Sequence, residues 1–483
     1  MPELAALDAT RREVASAPRA ADTRLPGRAR TRTRPFAPPS PGHPVLGLLL
    51  ALTSLLVVVT CSATTRVEGA TPPGPAGFEA PPPAPEPPEP PPALPSEPAA
   101  AAPEPRAPAA LPGPAPLSLV RFFAALRALE QRARQSHVHV VWLGDSHTAA
   151  DLWTEGVRHA LQARFGVGGP GFFHVGLKQT RHSQVKTDVF GSWQRVPAQP
   201  ARTEPFLDGV FGLAGVRATA KDGASFKAKL RAGAVVGKAR WSVHYRAPAR
   251  SSFQLKLGAH TELIRGSTAS PATIQHFERE LEPDGELVLR QLGGMPEFYG
   301  ATVESSEPGV VLDTLGIDGA RAKTPLAWRA EAWERELAAR HADLVVLAYG
   351  TNEVFESRAA SIYAGYYREL LQRVRRVAPD ADCLIIGPTD VMQTLGQSHP
   401  RVVEISSVQA QVAGELGCGY VGAHELMGGE GSYSEWQTAK PQLAGADGVH
   451  LTVRGYQELG QLTSELLMRG YDRFVGSQAP ASP

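Results

Sequence analysis

Residues 138–151 read VHVVWLGDSHTAAD, and the fold turns on them. From Val138 to Leu143 the only polar side chain is His139. A short apolar run of this kind, closed by glycine, reads as a strand buried on both faces. Gly144-Asp145-Ser146 supplies a tight turn. TAADLWTEGVRHALQARFG then reads as a helix, closed by Gly166 and the Gly-rich loop GVGGPGF. Strand, turn and helix in that order open an α/β unit.

The same grammar extends outward on both sides. Upstream, LSLVRFFAALRALEQRAR has apolar residues at helical spacing. Downstream of residue 308, GVVLDTLGIDG, ADLVVLAYGTN and ADCLIIGPTD read as strands with polar loops at their carboxyl ends. AWRAEAWERELAARH, IYAGYYRELLQRVRRVAP and RVVEISSVQAQVAGELG read as the helices between them. GYVGAHELM is a strand-like run, and DGVHLTVRGYQELGQLTSELLMRGY a loop and final helix. Between 178 and 308 the pattern changes. WSVHYRA, SSFQLKLGA, TELIRGS, ATIQHFERELE and GELVLRQLG alternate apolar and polar residues between turn signals, as antiparallel strands of a sandwich or barrel do.

The expected organisation of the 483 residues is therefore as follows. Residues 1–43 form a basic, Arg- and Pro-rich disordered tail, and 44–63 a hydrophobic segment. Residues 64–116 are a Pro/Ala-rich linker favouring polyproline II. One α/β domain occupies 117–177 and 309–475, interrupted by an inserted β-sandwich domain at 178–308, and 476–483 is a flexible tail. The segment PVLGLLLALTSLLVVVTCSA carries no charge and follows basic residues. It reads as an uncleaved signal anchor or as a signal peptide cleaved near Cys61-Ser62-Ala63, with a lipid on Cys61 as a third option. Each places the rest of the chain in the periplasm or cell envelope, tethered to the membrane or released.

Charge is nearly balanced, with 49 basic against 48 acidic residues, so nothing global points to nucleic acid. The chain has 3 cysteines. Cys383 and Cys418 read first as buried free thiols; an exported domain would also permit a disulfide. No His or Cys cluster has metal-ligand spacing along the chain.

Three polar clusters fall at strand ends: Gly144-Asp145-Ser146-His147, Gly350-Thr351-Asn352 and Asp447-Gly448-Val449-His450. In open α/β sheets, ligands sit at those ends. A serine hydroxyl needs a base to become a nucleophile. His450 can take its proton, and Asp447 can orient and charge-stabilise the imidazole. Asn352 and the backbone N–H of Ser146 can meet a developing oxyanion. Gly319, in LGIDGA, can bring a third N–H close because it lacks a side chain.

WLGDSHTAAD, LGIDGA, AYGTNE and DGVHLTVRGY resemble, in order, the four sequence blocks of the SGNH (GDSL) hydrolases. The resemblance implies a flavodoxin-like three-layer α/β sandwich around a parallel sheet. It implies Ser146, Asp447 and His450 as catalytic residues, with Ser146, Gly319 and Asn352 as oxyanion hole. Asp145 and His147 stand behind that shell, with His147 where many members carry Leu. The subgroup most similar is the peptidoglycan O-acetylesterases, which insert a carbohydrate-binding-like β domain between the first two blocks. That implies a serine acetylesterase acting on an acetylated wall polysaccharide, with no metal or organic cofactor. The same residues would serve an O-acetyltransferase, and a non-catalytic wall-binding protein is a third reading. Trp436 is expected to pack rather than line the pocket. His174 and His182 read as ordinary polar residues at the edge of the insertion.

Overall fold

The computed structural model describes residues 119–178, 181–197, 208–268 and 273–478. The expectations for the tail at 1–43, the hydrophobic segment at 44–63 and the linker at 64–116 lie outside the described residues. Among those described, no helix is long and apolar enough to cross a membrane.

The chain enters through helix α1 (Val120–Glu130) and strand β1 (Val138–Gly144). Two helices, α2 (Ser146–Ala149) and α3 (Leu152–Phe165), follow where one was expected. The break is at Asp151, whose φ of 54° is left-handed and ends α2. A second, antiparallel sheet then begins at β2 (Gly171–Phe173), inside the stretch assigned to the α/β domain. β2 is too short for a periodic signal, and its partner, Ala301–Val303, is distant in sequence.

That sheet continues through β3 (Val185–Pro197), β4 (Val216–Leu230), β5 (Ala239–Arg246), β6 (Ser252–Leu257), β7 (His260–Arg265), β8 (Gln275–Leu281), β9 (Glu286–Gly293) and β10 (Glu297–Ser305). Its path runs β7-β6-β9-β4-β10-β5-β8, with β2 on β10 and β3 on β4. The long β4 pairs with β9 through 225–229 and with β10 through 218–219, so one strand belongs to both halves. The halves face each other. The Tyr245 and Phe253 rings, on strands far apart in the sheet order, lie 5.2 Å apart, and Phe253 and Phe298 4.9 Å apart. The result is a sandwich whose two layers are one curled sheet around Phe226, Trp241 and Leu255.

The α/β pattern resumes with β11 (Val310–Gly316), α4 (Ala330–Ala338), β12 (Leu344–Ala348), α5 (Thr351–Val354), α6 (Ala360–Val377) and β13 (Asp382–Ile386). A hairpin of β14 (Met392–Thr394) and β15 (Gln397–Ser398) precedes α7 (Arg401–Leu416) and β16 (Gly419–Val421). The GYVGAHELM run is a strand only to Val421. It continues as α8 (Ala423–Met427), followed by α9 (Ser432–Thr438) and α10 (Val453–Ser477). α10 runs two residues past the expected boundary at 475.

The five parallel strands stand in the order β11-β1-β12-β13-β16, the flavodoxin-like arrangement with its switch point at β1. Alternate residues serve opposite faces. Val138, Val140 and Trp142 pack with α1, α3 and α10. Val141 and Leu143 pack with α4, α6 and α7. Each fully buried Val, Leu or Phe contributes about 1.5–3 kcal/mol, and β1 buries four such side chains together with Trp142.

Cys383 and Cys418 are paired in a disulfide, which corrects the expectation of free thiols. Leu384 lies opposite Gly419 in the β13–β16 pairing, so the residues just before them face each other, with Cα atoms 4.8 Å apart. The register of neighbouring strands made this contact, and it is not legible in the spacing.

Candidate active site

Three strand ends are level. Gly144 of β1 is in register with Gly316 of β11 and with Ala348 of β12. The short helix α2 sits directly on these ends. A Cβ on Gly144 would lie 2.1 Å from Thr148 Oγ1, and one on Gly316 would lie 2.2 Å from the Ala149 nitrogen. Glycine at both positions lets α2 approach the sheet and set Ser146, its first residue, at the edge of a cleft.

The other partners come from the loop before α10. Ser146 Oγ lies 3.0 Å from His450 Nε2, and His450 Nδ1 lies 2.7 Å from Asp447 Oδ2. Asp447 Oδ1 accepts from the amides of Val449 and His450 at 3.0 and 2.9 Å, which closes the DGVH turn on itself. Gly448 takes the left-handed φ of 77° that this turn needs. Tyr433 on α9 donates its hydroxyl toward Asp447 Oδ1 and the His450 carbonyl. Partial burial pushes the Asp447 carboxyl up. The two amides and the imidazole outweigh it and hold the group well below the usual carboxylate range. An ionised carboxylate on Nδ1 leaves Nε2 free to accept the serine proton.

His147 is buried beneath this chain. Thr389 Oγ1 and Tyr456 OH lie 3.2 and 3.0 Å from its two ring nitrogens, and its ring is 5.4 Å from that of His450. Burial, helped by the neighbouring His450, pushes its pKa down to about 3, so the ring is neutral. Asp145 caps α2 by accepting from the His147 amide at 3.0 Å. Its burial, with the Glu353 charge nearby, raises its carboxyl to about 8.

Gly319, on the loop after β11, and Asn352, on the short helix α5, are joined through neighbouring residues. Asn352 Nδ2 donates to the Ala320 carbonyl at 3.0 Å, which uses one of its two N–H groups. The Ala322 amide donates to Glu353 Oε1 at 2.8 Å. Gly319 has a φ of 72°.

Ser146 opens into a cleft of about 450 Å³. One wall is the ends of β1 and β11, with Ala149, Gly316 and Asp318; the other is the second sheet and the chain leading into it, with His174, Lys178, Trp193 and Arg195. Sequence reasoning missed this wall. His174, taken as an ordinary polar residue, lines the cleft. Trp193 was not singled out. A Cβ on Gly176 would stand 2.1 Å from its indole, and this Gly-Trp pairing is visible only in three dimensions. His182 is buried instead near the Asp151–Arg158 ion pair, whose Nη2–Oδ1 distance is 2.6 Å. Trp436 is buried and donates Nε1 to the Met427 carbonyl, a packing role. Among the described residues, no group of three metal-ligating side chains converges at this cleft.

Residues 285–458 match the model of the GDSL-like lipase/acylhydrolase family. The chain carries a GDSL-like acylhydrolase domain. The match starts just before β9 and leaves out the GDS turn, which the inserted sheet separates from the rest of the acylhydrolase domain. A solved peptidoglycan O-acetylesterase is 25% identical, with a TM-score of 0.62 over 73% of this chain and 96% of that one. TesA is 21% identical over 35% of this chain and 80% of that one, at a TM-score of 0.25. An acetyl xylan esterase is 14% identical over 34% and 80%, at 0.26. No curated protein matches the chain. With the SGNH fold and an acylhydrolase domain, the protein is a carboxylic ester hydrolase.

Proposed function

We propose that this hydrolase removes O-acetyl groups from a cell-envelope polysaccharide, peptidoglycan, through an acyl-enzyme on Ser146. The observation that carries the reading is the unbroken chain Asp447–His450–Ser146, opening into a cleft whose far wall belongs to the inserted sheet. His450 Nε2 takes the Ser146 proton as Oγ attacks the acetyl carbonyl. The Ser146 and Gly319 amides and the remaining N–H of Asn352 meet the oxyanion. The tetrahedral intermediate collapses, and the sugar alcohol leaves with the proton from His450. Water, deprotonated by the same imidazole, then releases acetate and restores the serine.

The polysaccharide reading rests on the wall and on likeness. Trp193 offers a ring, and Arg195 and Lys178 cations, beside the nucleophile, a combination suited to an anionic glycan. The similar solved protein acts as a peptidoglycan O-acetylesterase. An extracytoplasmic location is supported by the Cys383–Cys418 disulfide, which persists in oxidising compartments, and by the hydrophobic segment at 44–63. Tethering through that segment, if it is not cleaved, belongs to the same proposal. Acetate release from O-acetylated peptidoglycan, acetylated xylan and a lipid ester tests it. The fastest turnover is expected on peptidoglycan; equal or faster release from either competitor would overturn the substrate assignment.

A further inference from the structure

Apart from the serine cleft, the described residues hold a cavity of about 210 Å³ between the inserted sheet and α4. No residue lines both. Three of its lining side chains converge. His244 on β5 and His276 on β8 stand directly opposite each other in adjacent antiparallel strands, so they project from the same face. Their rings stack at 4.1 Å, tilted by 15°. Glu336, from α4, reaches between them. Its Oε2 is 3.0 Å from His244 Nδ1, and its Oε1 is 3.0 Å from His276 Nε2. One ligand atom from each of the three residues lies within 4.8 Å of the others.

We propose that His244 Nδ1, His276 Nε2 and the Glu336 carboxylate bind a divalent ion of the zinc class, which pins the inserted sheet to α4. Two imidazoles and one carboxylate are the donor set such ions take. At metal–ligand distances of ~2.0–2.2 Å, tetrahedral ligands stand ~3.3 Å apart; each ring nitrogen is already 3.0 Å from a carboxylate oxygen, and all three ligand atoms lie within 4.8 Å of one another. An ion therefore needs only small shifts of side chains already aimed at one point. The cavity leaves room for a fourth ligand, a water or a neighbouring side chain.

Charge favours a cation as well. Glu278, Glu304 and Glu336 line the cavity against the guanidiniums of Arg240 and Arg340. Asp313 lies behind, 2.7 Å from Arg340 Nε. With neutral imidazoles the surroundings are negative. His244 and Glu336 are buried, whereas the His276 side chain is 27% exposed on the edge strand, which leaves the ion a route in. Without an ion the same atoms hydrogen-bond, with both rings donating to one carboxylate. Binding moves each ring's proton to its other nitrogen, so that a neutral imidazole presents its lone pair to the metal in place of the N–H.

The test uses the full chain, purified without a histidine tag, stripped with a chelator and dialysed against Zn²⁺. Stoichiometric zinc is expected, with a higher melting temperature than the stripped form. Co²⁺ in place of Zn²⁺ should give the visible absorption of a four-coordinate nitrogen–oxygen site. His276→Ala, on an exposed edge, should weaken zinc binding by at least about tenfold, and Glu336→Gln likewise. Background zinc with no thermal shift and no cobalt bands in the wild-type protein would overturn the site, as would variants that bind as tightly as wild type. The wild-type cobalt spectrum decides even where a variant fails to fold.

Discussion

The ring of His147 packs 5.4 Å from that of His450, and Tyr456 and Thr389 hold its two nitrogens. A neutral ring in this place supports the imidazole that faces Ser146 without competing for its proton. Replacing it with the leucine common among the similar hydrolases, His147→Leu, takes a hydrogen-bond partner from each of two buried hydroxyls, Thr389 and Tyr456. That should cost about 1–3 kcal/mol of stability, read as a lower midpoint in denaturant. An unchanged midpoint would remove His147 from the supporting structure of the site.

Ser146→Ala should abolish hydrolysis of a small acetyl ester while the melting temperature stays near wild type. Asp447→Asn should lower kcat by on the order of 10³–10⁴-fold, because an amide no longer holds the tautomer that leaves Nε2 open. Wild-type turnover by the serine variant would refute the acyl-enzyme.

Trp193→Ala should act on the substrate rather than the chemistry. On O-acetylated peptidoglycan we expect kcat/KM to fall about tenfold, equivalent to ~1.4 kcal/mol. A small acetyl ester, which does not reach the inserted sheet, should be turned over unchanged. Equal losses on both would make Trp193 structural only.

Asp145 gives a stability test against pH. Its carboxyl is raised from 3.8 to about 8, so between those values the folded protein holds a proton that the unfolded chain has lost. Stability contributed by this group is present at acid pH, falls as pH rises from about 4, and levels off above about 8. Asp145→Asn keeps the oxygen that caps α2 and removes the titration. The variant should melt at a temperature less dependent on pH across that window. A profile parallel to wild type would mean that Asp145 is already ionised in the fold.

The disulfide joins residues 35 apart in sequence. Reduction, or the double change Cys383→Ser with Cys418→Ser, should lower stability by about 2–4 kcal/mol. A melting curve indifferent to reductant would show that the pair contributes little.

Much of this was legible in one dimension. Buried parallel strands leave uninterrupted apolar runs, so β1, β12 and β13 announced themselves. A nucleophile on a strand-to-helix turn must sit beside particular glycines and caps, so the GDS turn and the DGVH turn were local patterns, and Ser146, Asp447 and His450 could be named from them. Asp447 and His450 share one turn, and their contact follows from three residues of spacing.

What tertiary structure alone decided are contacts between segments far apart in the chain. The disulfide depends on the register of β13 against β16. The cleft wall of His174 and Trp193 depends on how the second sheet folds back over the strand ends. The His244–His276–Glu336 group needs a cross-strand pair from the insertion and a helix 60 residues further on. Local order leaves its period in the sequence because neighbouring residues share one element. Long-range packing leaves none, since the residues that meet are chosen by how sheets and helices stack.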